Sequence, residues 1–457
     1  MEKKEENPPL QSPYDAKMID LEKEIADLKL DNQRLSEYVL SLKKQLKLYQ
    51  HHMHSEDILP CTTSDLPDGI VYVSNSDTEK CSIASLSSSQ SHFEKAPFIL
   101  KTCSSGSCSF SAVGRYIMSK PSTLNLVHLC WNTGARPRRA LVIKKTGNLA
   151  ATEVLRRMID WLRERDITVM VEPQVYDELH DDSVITWSPS ERYEINTLVD
   201  FVITLGGDGT LLFASSLFPK TMPPVLSFHM GTLGFLTPFS ATQFEEPLSR
   251  MVAGDVPLTL RSRMEYRIIR KESDNATTVE ARDLFAGCRR AEPKLKVLND
   301  IVIDRGTSSS MVELNCFIDT SLITTVHADG LIIATPTGST AYSMSAGGSM
   351  VHPLTPGMLM TPICPHTLSF RQMLFPDSTV LRIEVSPESR CSASVSFDGQ
   401  YKEVLNHGDA LIIRTSKYPV PSVSPDESNN DWFRSVRDGL HWNKATSSIV
   451  ATKPKQG

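Results

Sequence analysis

The sequence lacks the features that mark membrane and secreted proteins. No apolar run reaches about 18 residues, the length that crosses a bilayer, so no membrane-spanning helix is expected. The N-terminus carries Glu and Lys where a secretory signal would have an apolar segment. The 9 cysteines include no CxxC pair, which favours free thiols in a reducing compartment such as the cytoplasm.

An excess of positive charge is also missing, because the formal net charge is −6 at pH 7. A general nucleic-acid binder needs a basic surface for phosphates, so this function class is not expected. The chain does have 457 residues, of which 40% are hydrophobic and 22% charged. These values are typical of a globular protein with two or three domains.

A heptad repeat over residues 18–49 predicts that segment 1–54 is a coiled-coil helix. Leu at one seam position, β-branched residues at the other and Asn32 on the seam favour a parallel two-stranded pair, and therefore self-association. A single amphipathic helix on the protein's own surface is the alternative. The two seam positions hold Met18, Ile25, Asn32, Val39 and Leu46, and Leu21, Leu28, Leu35, Leu42 and Tyr49.

Residues 55–137 are rich in Ser, Thr, Asn and Asp and are predicted to be a disordered linker. Between residues 138 and 255, strands alternate with helices, which predicts a doubly wound α/β domain. In such sheets ligands bind at the carboxyl ends of the strands. A helix near residues 431–445 is predicted to pack back on this domain.

The central stretch, residues 198–217, predicts a strand, a tight loop and a helix start. The apolar, β-branched run up to Leu205 is typical of a buried parallel strand. The loop Gly206-Gly207-Asp208-Gly209-Thr210 follows, and its glycines allow close approach of a ligand while helix-start N–H groups attract phosphate. An ordinary turn capped by Asp208 or Thr210 is the alternative.

Residues 256–430 change to short segments of alternating apolar and polar residues, which predict a β-sandwich. The expected fold class is therefore α/β plus all-β: a doubly wound α/β domain followed by a β-sandwich domain. A short tail, residues 446–457, ends the chain.

Two polar groups lie at strand ends of this second region. Asn299-Asp300 places an amide beside a carboxylate, although a strand-entry turn is the alternative. Asp329 opens an apolar strand that leads into a hydroxyl-rich turn and a helix start, in which Tyr342 can stack on a base. A serine-rich capped turn is the alternative there. The turn reads Thr335-Pro336-Thr337-Gly338-Ser339-Thr340-Ala341-Tyr342-Ser343.

These three motifs stand in the order and approximate spacing of the NAD kinase family, which the chain resembles from about residue 138 to 445. Segments 228–238 and 362–371 resemble the cytosolic animal enzymes. The resemblance implies ATP-dependent phosphorylation of the adenosine ribose 2′-hydroxyl of NAD, giving NADP, by a cytoplasmic homodimer or tetramer. The net charge and the lack of a long apolar run, noted above, predict that neither nucleic acid nor a membrane is a partner.

The resemblance also implies roles for single residues. Asp208 would be the catalytic base that accepts the 2′-hydroxyl proton. Gly206, Gly207, Gly209 and Thr210 would hold the ATP phosphates, with Mg²⁺ carried by ATP rather than by a protein metal site. The implied NAD-binding residues are Asp208, Gly209, Asn299, Asp300, Asp329, Thr340, Ala341, Tyr342, Ser343, Ser345 and Gln400.

Two positions depart from the family pattern: Asp300 stands where many relatives have Glu, and His327 where bacterial relatives often have Arg. Two other functions are open. A lipid kinase of the diacylglycerol or sphingosine type shares the first motif, but that function leaves the Thr335–Ser343 motif unexplained. A non-catalytic nucleotide-binding scaffold would bind NAD without turnover, which the intact Asp208 disfavours.

Overall fold

The computed structural model describes residues 70–73, 93–104, 107–110, 113–119, 126–271, 296–425 and 430–443. All of them belong to one compact unit, Asp68–Gly457. The predicted coiled coil and the tail 446–457 lie outside the described residues. No helix among the residues that the structure describes is both long and apolar enough to cross a membrane.

The first part of the described chain contains eleven strands and five α-helices. The strands are β1 (Ile70–Val73), β2 (Phe98–Ser104), β3 (Ser107–Phe110), β4 (Tyr116–Ser119), β5 (Leu126–Trp131), β6 (Arg139–Lys144), β7 (Thr168–Val171), β8 (Phe201–Gly206), β9 (Val225–His229), β10 (Phe239–Ser240) and β11 (Val256–Arg261). The helices are α1 (Leu149–Arg163), α2 (Pro173–Leu179), α3 (Ile195–Leu198), α4 (Asp208–Ser216) and α5 (Glu245–Ala253).

Strands β7, β6, β8 and β9 lie side by side and parallel, as the alternation of strands and helices predicts. All six residues of β8 are buried, which fits its continuous apolar run. Helix α1 begins at Asn148, whose side chain accepts the N–H of Ala151, and it buries one apolar face. Because parallel strands share one carboxyl edge, the loops after Lys144 and Gly206 meet there.

The predicted disordered linker is wrong for the described residues between 93 and 131, because β2, β3 and β5 extend the same sheet and β4 pairs with β1 in a separate two-stranded sheet. Strand β2 pairs with β5 and β5 pairs with β11, all antiparallel. Phe98 and Leu129 are fully buried in the resulting core. The Asp200 carboxylate also accepts the N–H of Ala96 at 2.7 Å and that of Arg138 at 2.7 Å. Short apolar runs inside a Ser-rich stretch therefore bury enough surface to fold.

The second part of the chain is all-β, as predicted, and its eleven strands pair antiparallel in one sheet. The buried residues of these strands form a separate apolar core. The strands are β12 (Met264–Ile269), β13 (Lys296–Val297), β14 (Asp300–Asp304), β15 (Val312–Ile318), β16 (Ser321–Ala334), β17 (Met358–Pro365), β18 (Met373–Phe375), β19 (Leu381–Val385), β20 (Ala393–Phe397), β21 (Tyr401–Leu405) and β22 (Ala410–Thr415), with helix α6 (Tyr342–Ser345) after β16.

The boundary between the two sheets differs from the predicted one at residues 255 and 430. Strand β11 belongs to the first sheet, and the chain returns there as β23 (Val420–Val423), which pairs with β11 and β9. Helix α7 (Asn430–Arg434) and a π-helical turn, Ser435–Gly439, follow. The second sheet is thus inserted between two neighbouring strands of the first.

The buried Arg263 joins the two sheets at this insertion. Its guanidinium donates to the carbonyl oxygens of Ser215 at 3.2 Å, Phe218 at 2.8 Å and Tyr418 at 2.7 Å. The first two carbonyls lie at the C-terminal end of α4, where a cation also offsets the helix dipole. The contacts fix α4 against the start of the second domain.

Candidate active site

The Asp208 side chain is held rigidly at the start of α4. Its Oδ2 accepts the N–H of Phe235 at 3.0 Å, and its Oδ1 accepts the N–H of Leu236 at 3.0 Å and the hydroxyl of Thr237 at 3.2 Å. Among the described residues, Oδ2 has only this one donor, and a carboxylate oxygen has two lone pairs. Oδ2 therefore retains capacity to accept a hydrogen bond from a ligand hydroxyl.

Gly234 allows this arrangement because no other residue fits beside Asp208. A Cβ at Gly234 would collide with Asp208 Oδ1 and would lie 2.6 Å from Thr237 Oγ1. The loop from Gly234 to Thr237 thus wraps the carboxylate with its own backbone, and absence of a side chain is required for that approach.

A cavity of about 310 Å³ opens beside the glycine loop. Its volume lies in the range of small-molecule sites. The fully buried Lys144 forms an ion pair at 2.8 Å with Glu178, while Lys145 is exposed. The exposed Lys145 and the N–H groups at the start of α4 make this cavity suited to an anionic group such as a phosphate, while the Lys144 ammonium adds a positive charge that is shielded from solvent and paired with Glu178. The lining residues are Lys144, Lys145, Thr146, Gly207, Gly209, Thr210 and Phe213.

Asn299 lies in the turn between β13 and β14, Asp300 begins β14, and Asp398 holds both in place. The Asp398 carboxylate accepts the N–H of Leu298 at 2.8 Å, of Asn299 at 2.7 Å and of Asp300 at 3.2 Å. The side-chain oxygen of Asn299 is buried and accepts no hydrogen bond from any residue that the structure describes. A buried polar atom of this kind usually has a partner, and a bound ligand can supply one.

The carboxyl groups of Asp300 and Asp398 have perturbed pKa values. Burial, together with the charge of Asp398, raises the pKa of Asp300 to about 7, although the N–H of Tyr342 hydrogen-bonds to it and opposes the shift. Burial raises the pKa of Asp398 to about 6 against its three backbone hydrogen bonds. Shifts of this size are frequent at functional sites, where carboxyl groups are enclosed together.

The hydroxyl-rich turn packs directly on Asn299. Thr335 N–H donates to the Asn299 carbonyl at 2.9 Å, and a Cβ at Gly338 would collide with that carbonyl. Helix α4 also contacts β13, the strand just before Asn299, and Leu211 of α4 and Leu298 belong to one apolar core cluster. The structure therefore brings the three motifs of the sequence together.

Not every residue of the third motif points outward. The Thr340 hydroxyl donates to the Thr337 carbonyl at 3.1 Å, and the buried Ser343 hydroxyl bonds with Thr361 at 2.8 Å. These two side chains hold the turn together, so a ligand contact from them would come through the backbone. Ala341 is partly exposed, whereas Tyr342 and Ser345 are exposed.

Asp329, His327 and Gln400 lie at the periphery of the motifs. Asp329 forms an ion pair at 2.9 Å with Arg305. His327 Nδ1 lies 3.6 Å from a carboxylate oxygen of Glu313, which makes it part of a separate surface pair. Gln400 is exposed in the turn after β20, two residues beyond Asp398.

Sequence reasoning missed Lys144, Lys145, Asp398 and the backbone of the Gly234–Thr237 loop. Lys144 ends β6 and Lys145 follows it. The carboxyl end of β6 lies beside that of β8, so the predicted parallel sheet contained a signal for these lysines. Within the described ranges, no group of three or more His, Cys, Asp or Glu side chains is arranged to hold a metal ion.

Comparison with known proteins agrees with this geometry. The family model of the ATP-NAD kinase N-terminal domain matches residues 140–256, and that of the ATP-NAD kinase C-terminal domain matches residues 298–424. The probable NAD kinase 1 of Oryza sativa subsp. japonica is 44% identical over 314 residues, covering 67% of this chain and 57% of the relative. The NAD(+) kinase of Saccharomyces cerevisiae is 38% identical over 338 residues, covering 69% and 63%.

The chain thus spans less than two thirds of the length of either curated relative. A crystal structure of yeast NADH kinase complexed with NADH has a similar fold, with a TM-score of 0.60 and 31% identity. That likeness covers 72% of this chain and 94% of the solved chain. Because the two family models together match more than half of its residues, the chain belongs to the ATP-NAD kinase family.

Proposed function

We propose that the protein phosphorylates the 2′-hydroxyl of the adenosine ribose of NAD with ATP as donor, giving NADP and ADP. The observation that carries this proposal is the Asp208 carboxylate, fixed at the start of α4 beside the cavity that contains Lys144. Family membership supplies the reaction class. The similarity to yeast NADH kinase, whose crystal structure is a complex with NADH, supports a nicotinamide dinucleotide as the acceptor.

The ATP phosphates occupy the cavity lined by Lys144, Gly207, Gly209 and Thr210 in this proposal. Phosphoryl transfer depends mainly on positioning and on neutralising charge at the transferred group. The α4 N-terminus and the two lysines of the cavity would supply positive potential. Gly206 contributes indirectly, because a Cβ there would collide with the Thr210 hydroxyl.

NAD would lie on the side of Asn299, Asp300 and Tyr342. The unpaired Asn299 Oδ1 and the Asp300 carboxyl would bind ribose hydroxyls, and the exposed Tyr342 ring offers a stacking surface. Gly209, Ala341 and the exposed Ser345 would contact NAD from the two loops. Asp329 and Gln400 at the periphery, and Thr340 and Ser343 through their backbone, complete the proposed set.

Asp208 would act as the general base of the transfer. Its Oδ2 accepts the proton of the 2′-hydroxyl while the 2′-oxygen forms a bond to the γ-phosphorus of ATP. The bond between the γ-phosphorus and the bridging oxygen breaks, and ADP leaves with that oxygen. The hydrogen bonds from Phe235 and Leu236 keep the carboxylate oriented, so little reorganisation is needed at the moment of reaction.

Mg²⁺ is proposed to enter with ATP. Magnesium in proteins is usually bound by phosphate oxygens, waters and one or two carboxylates rather than by a protein cage. The ion would neutralise charge on the transferred phosphate.

The test is formation of NADP by the purified full chain supplied with NAD and Mg-ATP, with Asp208→Asn assayed beside it. We expect turnover in the wild type and a loss on the order of 10²-fold in the variant, with NAD binding retained. NAD binding without turnover in the wild type would favour the scaffold alternative. Parallel assays with NADH would define the acceptor, and turnover of diacylglycerol or sphingosine in place of NAD would revive the lipid-kinase alternative.

Self-association and a cytoplasmic location are further proposals. The heptad repeat of residues 18–49 supports the first, and the absence of CxxC pairs supports the second. Light scattering of the full chain would give its oligomeric state, and deletion of residues 1–54 would show whether the repeat sets it. Imaging of the tagged full chain would give the location.

A further inference from the structure

The segment after the last strand is unusually well buried for its length. Helix α7 and the π-helical turn span only residues 430–439, yet Asp431, Trp432, Ser435 and Val436 are each at most 8% exposed. We call residues 430–439 the C-terminal segment. Sequence reasoning predicted a helix here but gave it no part in the chemistry.

Ser435 of this segment bonds to the loop that holds Asp208. Its hydroxyl donates to the carbonyl oxygen of Gly234 at 2.9 Å. That carbonyl belongs to the same planar peptide unit as the N–H of Phe235, which donates to Asp208 Oδ2 at 3.0 Å. Since a peptide plane rotates as a whole, Ser435 fixes the direction of the N–H that binds the carboxylate. A hydrogen bond accepted by the carbonyl also polarises the N–H of the same unit.

Arg261 does the same for the next peptide unit. Its Nη2 donates to the Phe235 carbonyl at 3.5 Å, and this carbonyl shares a plane with the N–H of Leu236, the donor to Asp208 Oδ1. Arg261 as a whole residue is only 3% exposed. Burial lowers the pKa of Arg261, while the carboxylates of Asp431 and Asp208 oppose that shift and so lie within its field.

The C-terminal segment also reaches the other half of the site. The rings of Trp432 and Phe433 lie 5.1 Å and 5.4 Å from the His352 ring, measured between centroids. His352 follows the hydroxyl-rich turn after β16 along the chain. The segment therefore spans from the Asp208 loop to the loop region of the proposed NAD side.

We propose that Ser435 and Arg261 are positioning residues. Each hydrogen-bonds to the carbonyl oxygen of a peptide unit whose N–H group orients the Asp208 carboxylate. The inference rests on the proposed function, because it concerns the orientation of the Asp208 carboxylate as the proposed base. Neither side chain is needed to contact a substrate: each acts through a peptide unit that lies between it and Asp208.

The first test is steady-state kinetics of the full chain with Ser435→Ala. We expect kcat to fall about 10-fold because the carboxylate loses its fixed direction, with the KM values for NAD and ATP changed by less than about twofold. Ser435→Thr keeps the hydroxyl and should recover most of the lost kcat. Should it fail to fold, Ser435→Cys, which keeps a weak donor, replaces it and should fall between Ser and Ala. The matched control is Ser424→Ala, which removes another buried hydroxyl that bonds to Thr259 at 2.7 Å and has no link to the Gly234 loop.

A double-mutant cycle separates positioning from a general structural role. In the Asp208→Asn background, Ser435→Ala should lower the residual kcat by less than about twofold, because there is no longer a base to orient. A full 10-fold loss in that background, unchanged kcat in Ser435→Ala, or an equal loss in Ser424→Ala would each overturn the proposal. An inactive wild type would instead contradict the proposed function, so the two failures are distinguishable.

Arg261 is tested by Arg261→Lys and Arg261→Met. We expect Arg261→Lys to retain more kcat than Arg261→Met, since an ammonium group keeps the charge and a donor to the Phe235 carbonyl. If both variants keep wild-type kcat, Arg261 has no positioning role. If Arg261→Met does not fold, the Arg261→Lys kcat relative to the wild type decides.

Discussion

Asp300 and Asp398 are two enclosed carboxyl groups, and Asp398 accepts the N–H of Asp300 at 3.2 Å. Burial and the neighbouring charge raise the pKa of Asp300 to about 7, and burial raises that of Asp398 to about 6. Both groups therefore stay protonated in the folded state at pH values where the unfolded chain has already released the protons.

The first prediction follows from this pair. Because these two groups bind more protons in the folded state between about pH 4 and 7, their contribution to the free energy of unfolding should fall as pH rises through this window. Asp300→Asn stays neutral, so relative to the wild type it should gain at least ~1 kcal/mol between pH 5 and pH 8. Urea unfolding at four pH values measures this, with the exposed Asp182→Asn as control. A constant difference between Asp300→Asn and the wild type would contradict the prediction.

A second prediction concerns Gly231 and Gly234, which precede the residues whose N–H groups bind the Asp208 carboxylate. Gly234→Ala places a Cβ against Asp208 Oδ1, so kcat should fall on the order of 10²-fold. At Gly231 a Cβ would meet no heavy atom within 4 Å, so Gly231→Ala should retain wild-type kcat. Steady-state kinetics of the two variants give their kcat values, and thermal unfolding checks that both variants fold. Equal activities would mean that the Asp208 geometry tolerates displacement.

Lys144 provides a third prediction, on ATP affinity. Lys144→Met removes the buried ammonium from the phosphate cavity and should raise the KM for ATP about 10-fold, with the KM for NAD unchanged. Glu178, which loses its ion-pair partner, is 40% exposed and still accepts from Thr152 at 2.8 Å, so the fold should tolerate the change. Lys220→Met, at an exposed position, is the control. An unchanged KM for ATP would remove Lys144 from the phosphate site.

The N-terminal boundary gives a fourth prediction. Deletion of residues 1–67 leaves the compact unit that begins at Asp68, and kinase activity should persist. Deletion of residues 1–119 also removes β2 and uncovers the edge of β5, so Tm should fall by ~5 °C or more and aggregation should increase. Differential scanning fluorimetry compares the two. Equal Tm values would mean that β2 contributes little to the sheet.

Part of the fold could be predicted because the local pattern is strong. The apolar run of β8 and the glycine loop after it fix a strand, a turn and a helix start without reference to the rest of the chain. The alternation in the second region likewise identified an all-β domain. Strand β2 was missed because its apolar residues stand in a Ser-rich stretch and its neighbour β5 pairs with β11, more than 120 residues along the chain.

The candidate site, like the fold, could be predicted only where the local sequence pattern is strong. The three motifs were recognised from residue types and order, and the structure brings them together. The roles of Asp398 and Ser435 were not recognised from the sequence. Their hydrogen-bond partners lie 99 and 201 residues away, and their roles come only from tertiary contacts. Nothing in the sequence distinguishes Lys144 from a surface lysine until β6 is placed beside β8.

The insertion of the second sheet between β11 and β23 has a mechanical consequence. The chain leaves the first sheet after Arg261 and re-enters it at Val420, and these two residues are opposite each other in the antiparallel pair. The two places where the chain crosses between the sheets therefore lie next to each other. Arg263, two residues after the first crossing, donates hydrogen bonds to Ser215 and Tyr418 there. Since Leu298 of the second region also packs in one apolar core cluster with Leu211 of α4, the two sheets are held together both at the crossings and beside the site, and motion of one sheet against the other would separate this cluster.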